Sequence, residues 1–219
     1  MNRIRLSGIA LVLVAAACDK PAPPPADTAT AAPPPAPAPT PTVTAPAEFK
    51  VRLETSKGPI VIQLHRDWSP NGVDRFFQLV EEGYYSDVRF FRVVPGFVVQ
   101  FGMHGDSATN AKWSAQQIQD DPVKQTNKRG TVTFAKAMSP NSRTTQIFIN
   151  LTDNAASLDP QGFAPIGTVV EGMSVIDGLY SGYGDEPTYK QGEIAAGGNA
   201  FLKASYPKLD FIRSAKVVK

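Results

Sequence analysis

Cysteine and histidine are nearly missing from this chain of 219 residues: it has one cysteine, Cys18, and two histidines, His65 and His104. A single thiol excludes an intrachain disulfide, so stability must come from packing. The histidines are isolated, with no second histidine or cysteine at ligand spacing, which argues against a metal site. An excess of either charge is lacking too. With Arg3 and Arg5 set aside, 20 of the 22 basic residues remain against 20 acidic ones. That balance gives no electrostatic case for nucleic acid or acidic lipid. No apolar run is long: Ile9 to Val14 falls well short of the ~20 residues that a membrane-spanning helix needs. Ser142, Thr145 and Ser157 sit in no nucleophile elbow, which argues against a hydrolase. Gly182, Gly184, Gly192, Gly197 and Gly198 follow no phosphate-loop spacing, and no repeat of 20–50 residues is visible. Neither a cofactor nor a metal is expected.

What is present begins with a secretory signal over residues 1–17. Arg3 and Arg5 give a positive start, Ile9 to Val14 an apolar run, and Ala15-Ala16-Ala17 a small-residue cleavage site. Cys18 follows directly, an arrangement that resembles a bacterial lipoprotein signal, whose cysteine is lipidated. Ala15 stands where leucine is most usual there. The alternative is ordinary secretion that leaves a free thiol. Residues 18–47 then read as the lipidated cysteine and a tether: of the 29 residues from Asp19 to Ala47, 11 are Pro, 9 Ala and 5 Thr. Such a composition has almost nothing to bury and behaves as a semi-rigid spacer. At ~3.1 Å per residue it reaches at most ~90 Å, enough to hold a folded head clear of a membrane.

Residues 48–219 suit one domain with a substantial core. Phe49–Thr55 and Ile60–His65 alternate as strands around a turn at Lys57-Gly58-Pro59. Ser69 reads as a helix N-cap, with Pro70 at the first helical position and Gly83 past the end. Val73, Phe76, Phe77 and Val80 form its buried face, and Trp68 is placed to pack on Val73 as a staple. Further strands are expected at Val88–Val94, Phe97–Phe101, Thr131–Ala135, Ile147–Asn150, Ile166–Val170 and Phe211–Val217, and a short helix at Met173–Leu179. Many strands with few helices point to a mainly β fold, an antiparallel barrel plugged by helices.

The most informative stretch is Phe90-Phe91-Arg92-Val93-Val94-Pro95-Gly96-Phe97-Val98-Val99-Gln100. Two apolar runs are broken by Pro-Gly, a turn between strands. A guanidinium is costly to bury without a partner, so an arginine here suggests a half-open apolar pocket with the arginine directed into it. The stretch resembles the active-site strand pair of the cyclophilins, whose pattern is F-x-R-x-x-P-G-F-x-x-Q. Gly130 to Ala137 resembles that family's G-x-x-x-M-A-N-A strand. Asn141 to Ile149 resembles N-x-x-x-S-Q-F-F-I. Leu158-Asp159 and Gly167 to Met173 match L-D and F-G-x-V-x-x-G-M. The blocks fall in family order across roughly residues 48–180, and the likeness thins after Gly182.

The resemblance implies a closed eight-stranded antiparallel β-barrel capped by two helices. It also implies a peptidyl-prolyl cis-trans isomerase. Arg92 would be the donor toward the prolyl nitrogen and carbonyl, and Gln100 would hold the substrate carbonyl and help position Arg92. Phe97, Val98, Phe148 and Leu158 would line the proline pocket. Ala135, Lys136 and Gln146 would edge the groove, the first two mainly through backbone. Two positions depart from the family: Ser157 stands where tryptophan is common, and Phe163 where histidine usually lines the site. Both changes remove polar rim groups, so activity is expected with altered substrate preference. Trp113, in a polar loop, is no obvious replacement.

Together these readings describe a monomeric isomerase for proline-containing segments of exported proteins. It would be lipid-anchored on the periplasmic side of the cell envelope, or soluble in the periplasm or medium if Cys18 is unmodified. The competing reading is a proline-peptide receptor or holding chaperone on the same fold. Ser181 to Lys208, rich in glycine and polar residues with a helical turn expected near Ala200–Ala204, either extends the groove or is a surface elaboration.

Overall fold

A computed structural model describes residues 43–218. The signal segment, Cys18 and the spacer up to residue 42 lie outside the described residues. Ala45, within the expected tether, is buried, and its N–H donates to Asp74 Oδ1 at 2.9 Å. Packing therefore begins a few residues before the expected boundary.

Strands β1 (Glu48–Thr55) and β2 (Pro59–His65) pair antiparallel. Alternation drives Val51, Leu53, Ile60, Ile62 and Leu64 fully into the core. Helix α1 (Pro70–Glu81) buries Val73, Phe76, Leu79 and Val80 on one face, and Phe77 meets Phe49 edge-on at 5.2 Å. Ser69 is the N-cap residue, yet its side chain makes no cap bond. Its hydroxyl donates to Asp121 at 2.6 Å, and that carboxylate accepts the Asn71 and Gly72 N–H groups. A charged acceptor fits the positive end of the helix better than a hydroxyl. Trp68 stacks on His65 at 4.3 Å.

Next come β3 (Val88–Arg89), β4 (Arg92–Val93), β5 (Val98–Phe101), α2 (Ser107–Ser114), β6 (Thr131–Phe134) and β7 (Ile147–Asn150). They are followed by α3 (Ala155–Leu158), β8 (Pro165–Glu171), α4 (Met173–Asp177), α5 (Gln191–Ser205) and β9 (Phe211–Val218). All strands join one curled antiparallel sheet, in the order β3-β9-β1-β2-β8-β6-β7-β5-β4. The expected eight strands are nine because the Val88–Val94 segment divides at Phe90-Phe91: its first half pairs with β9, its second with β5. The two edges of the sheet are thus successive pieces of one segment. The expected two helices are five among the described residues, with 3₁₀ turns at Asp159–Gln161 and Glu186–Lys190.

Trp113 lies on α2 and not in a loop; it is buried, with the Arg75 guanidinium over its ring at 5.1 Å. Residues 181–208 hold far more structure than one helical turn. Ile194, Leu202 and Tyr206 pack with Phe91, Met103 and Leu209 in a second apolar cluster beside the main core. Full burial of such side chains contributes about 1.5–3 kcal/mol each. At Gly198 (φ 52°, ψ −142°) α5 kinks, and a Cβ there would lie 2.1 Å from the Gly105 carbonyl oxygen. Only glycine permits this approach, through which Asn199 N–H donates to Gly105 O at 2.8 Å.

Candidate active site

The Val94-Pro95-Gly96-Phe97 turn joins β4 to β5: Phe97 N–H donates to Val94 O at 3.0 Å, and Gly96 takes φ 75°. Positive φ at the third position is what a type II turn requires, and proline is favoured just before it. The turn fixes the register, pairing Arg92 with Gln100, and β7 in turn pairs Phe148 with Gln100. Cross-strand partners share a face, so Arg92, Gln100 and Phe148 stand in one row. Their neighbours Val99, Phe101, Ile147 and Ile149 point the other way, into the main core.

On the row's face Val98, Phe148 and Leu158 form a third apolar cluster with Phe97, Ala135 and Phe163. It walls a cavity of about 360 Å³ also lined by Arg92, Gln100 and Lys136. Nine of the ten expected groove residues thus meet at one cavity. The tenth, Gln146, edges the adjoining cavity with Ala135 and Lys136, and its amide oxygen accepts from Gln100 at 2.8 Å. Phe163 meets Phe148 edge-on at 5.7 Å, and Lys136 Nζ lies 5.6 Å above the Phe163 ring. Lys136 therefore contributes its side chain as well as its backbone. Ser157 instead turns back to Asn154 O at 3.0 Å.

A buried polar layer holds the pocket walls. Asn127 Nδ2 donates to Phe163 O and Asp159 Oδ1, and Asn154 Nδ2 donates to Phe97 O and Asn150 Oδ1. The bonds to Phe163 O and Phe97 O fix the backbone of two pocket residues, which keeps their rings in place before any ligand arrives.

Arg92 is held on two sides. Its Nη1 donates to Gln100 Oε1 at 3.1 Å, and its Nε to Asp185 Oδ1 at 2.5 Å. The guanidinium also lies 5.2 Å from the Phe97 ring centre, a favourable cation–π placement. Asp185 was not foreseen; nor were Gln161, Thr188 and Gln191, which line the same cavity. Gln191 Oε1 accepts from Gln146 Nε2 at 2.9 Å. The only sequence signal for Asp185, Thr188 and Gln191 was an unusually long segment placed after the recognisable blocks.

Residues 50–197 match the family model described as cyclophilin type peptidyl-prolyl cis-trans isomerase. The chain belongs to the cyclophilins. It is 34% identical over 140 residues to a peptidyl-prolyl cis-trans isomerase of Acinetobacter baylyi, spanning 60% of this chain and 71% of that one. It is 33% identical over 139 residues to peptidyl-prolyl cis-trans isomerase B of Escherichia coli, spanning 58% and 81%. Among solved structures, a Cryptosporidium parvum cyclophilin superposes with a TM-score of 0.58 at 18% identity, covering 78% of this chain and 98% of the other. That likeness establishes the fold, mainly β and cyclophilin-like. The sequence relatives and the family model establish the enzyme class: this cyclophilin is a peptidyl-prolyl cis-trans isomerase.

Proposed function

We infer that this cyclophilin isomerises Xaa–Pro bonds in exported proteins at the cell envelope, with Arg92 as the donor that stabilises the twisted amide. The observation that carries the site assignment is the Arg92–Gln100–Phe148 row beside a pocket of apolar side chains. Rotation about an Xaa–Pro bond must overcome a barrier of about 18–20 kcal/mol set by amide resonance. No bond breaks, so neither a metal nor a cofactor has a step to perform. A proline ring fits against Phe97, Val98, Phe148, Leu158 and Phe163. A guanidinium fixed at its mouth is placed to donate to the prolyl nitrogen as it loses resonance. A structure of the Cryptosporidium parvum cyclophilin in the presence of the dipeptide Ala-Pro supports a proline peptide as occupant of the pocket here. The two most exposed large apolar side chains nearby, Met138 and Tyr189, are then available to flanking residues of the peptide. Closure of the sheet into an eight-stranded barrel, with Val88–Val94 counted as one strand, belongs to this reading and would hold Arg92 rigidly between the edges.

The envelope assignment rests on the signal-like residues 1–17, Cys18 and the Pro/Ala/Thr-rich spacer. In this reading Cys18 is lipidated, the domain acts as a monomer, and the spacer holds it clear of the membrane. The test is fractionation of cells that express the full chain, with mass spectrometry of Cys18 and an isomerase assay on each fraction. Activity in the membrane fraction, released by Cys18→Ser without loss of turnover, is expected, because lipid chains contribute about 0.8 kcal/mol per buried CH₂. Wild-type protein found wholly soluble, with Cys18 unmodified, would replace the anchor with simple secretion. Tight proline-peptide binding without turnover would instead mark a peptide receptor.

A further inference from the structure

Segment 181–208 delivers a carboxylate to the guanidinium that the proposed reaction uses. Asp185 immediately precedes the Glu186–Lys190 turn, 93 residues beyond Arg92, and accepts from Arg92 Nε. Its side chain is absent from the lining of the 360 Å³ cavity, whereas Arg92, Thr188 and Gln191 are part of that lining. The cavity thus stays open while the ion pair is made. That geometry fits a brace behind the arginine and not a plug in the pocket.

Gln100 alone would hold the guanidinium by one corner, at Nη1. Such a side chain keeps freedom about its Cδ–Nε torsion. A second contact at Nε, on the neighbouring edge of the fork, sets the plane of the group. Nη2 has no hydrogen-bond partner among the described residues, so it remains available to a ligand. Charge-assisted bonds to a carboxylate are the strongest such contacts available to arginine.

We propose that Asp185 is a positioning residue for the isomerase reaction, holding Arg92 Nε so that its remaining donors face the bound Xaa–Pro amide. This rests on the reading of Arg92 as the catalytic donor. The brace itself is held independently of the pair. Ile194, Leu202 and Tyr206 bury its apolar side, and Asn199 bonds Asp87 and Gly105. Removing the Asp185 carboxylate should therefore leave the segment docked and act through Arg92 alone.

The experiment measures kcat and KM on a proline peptide by NMR exchange for the full chain, Asp185→Ala, Asp185→Asn and Arg92→Ala. Asp185→Ala is expected to lower kcat about tenfold while KM changes less than about twofold, because misplacing a catalytic group costs rate more than binding. Asp185→Asn keeps an oxygen acceptor without the charge and is expected to fall between the two. A wild-type kcat in Asp185→Ala overturns the proposal. So does a loss carried by KM alone, the signature of an undocked Thr188–Gln191 wall. Wild-type turnover in Arg92→Ala would sink the reading of Arg92 itself. Loss in Arg92→Ala with normal turnover in Asp185→Ala would sink only the positioning role.

Discussion

Replacing Arg92 with lysine keeps the charge and should still remove most of the activity. Arginine has five N–H donors in a planar fork. Here one, on Nε, is taken by Asp185 and one, on Nη1, by Gln100, which leaves three for the substrate. A lysine ammonium has three donors on one nitrogen and cannot reach both partners while also facing the amide. Hydrogen bonds to charged groups contribute about 1.5–3 kcal/mol each. Losing one or two in the transition state therefore costs about 2.7 kcal/mol, or ~100-fold in kcat/KM. Stability should hardly change. The Arg92 and Asp185 side chains are 20% and 45% exposed, and ion pairs of that kind contribute only about 0.2–1 kcal/mol. A protease-coupled assay on a chromogenic proline peptide reads kcat/KM, and a thermal melt checks the fold. A folded Arg92→Lys variant within about threefold of wild type would refute the assignment of the fork as the source of catalysis.

Truncating Phe148, 5% exposed and central to the pocket, should raise KM at least about tenfold and cost about 3 kcal/mol of stability, read by the same assay and a denaturant titration. The rate should be unchanged by EDTA and nearly flat between about pH 6 and 8, because the rotation transfers no proton; a tenfold loss on chelation would contradict this. Burial pushes the Tyr85 hydroxyl, which donates to Thr145 O at 3.1 Å, well above its ordinary pKa of 10.0. The folded chain then holds this proton to higher pH than the unfolded chain does. The associated stability is intact below the unfolded value and is lost as pH rises above it. Tm should fall above about pH 10. Tyr85→Phe should soften that fall while lowering Tm at neutral pH through the lost bond, and an equally steep alkaline decline in this variant would count against the account.

Much of the fold was legible because its signals are local. Alternation placed β1 and β2, and the spacing of Val73, Phe76, Phe77 and Val80 placed α1. The Pro95-Gly96 turn fixed a register in which Arg92 faces Gln100, so the core of the site could be read from eleven consecutive residues. Other features carried no local signal. Helix α2 is mostly polar, and its burial of Trp113 depends on Arg75 and Tyr84, which arrive from elsewhere in the chain. Segment 181–208 lacks the regular apolar spacing that would announce α5, because glycines interrupt it and its apolar side is completed by Phe91 and Met103.

By itself, then, the sequence determined which apolar residues and which cations are available to line one pocket, since side-chain chemistry and short-range register are written residue by residue. Tertiary structure alone decided who holds those residues. Asp121 caps a helix that begins some fifty positions earlier, and Phe90-Phe91 sends one segment to both edges of the sheet. Asp185 reaches Arg92 across 93 positions. Partners so distant meet only when the whole chain has packed, and no local pattern of residues records the meeting.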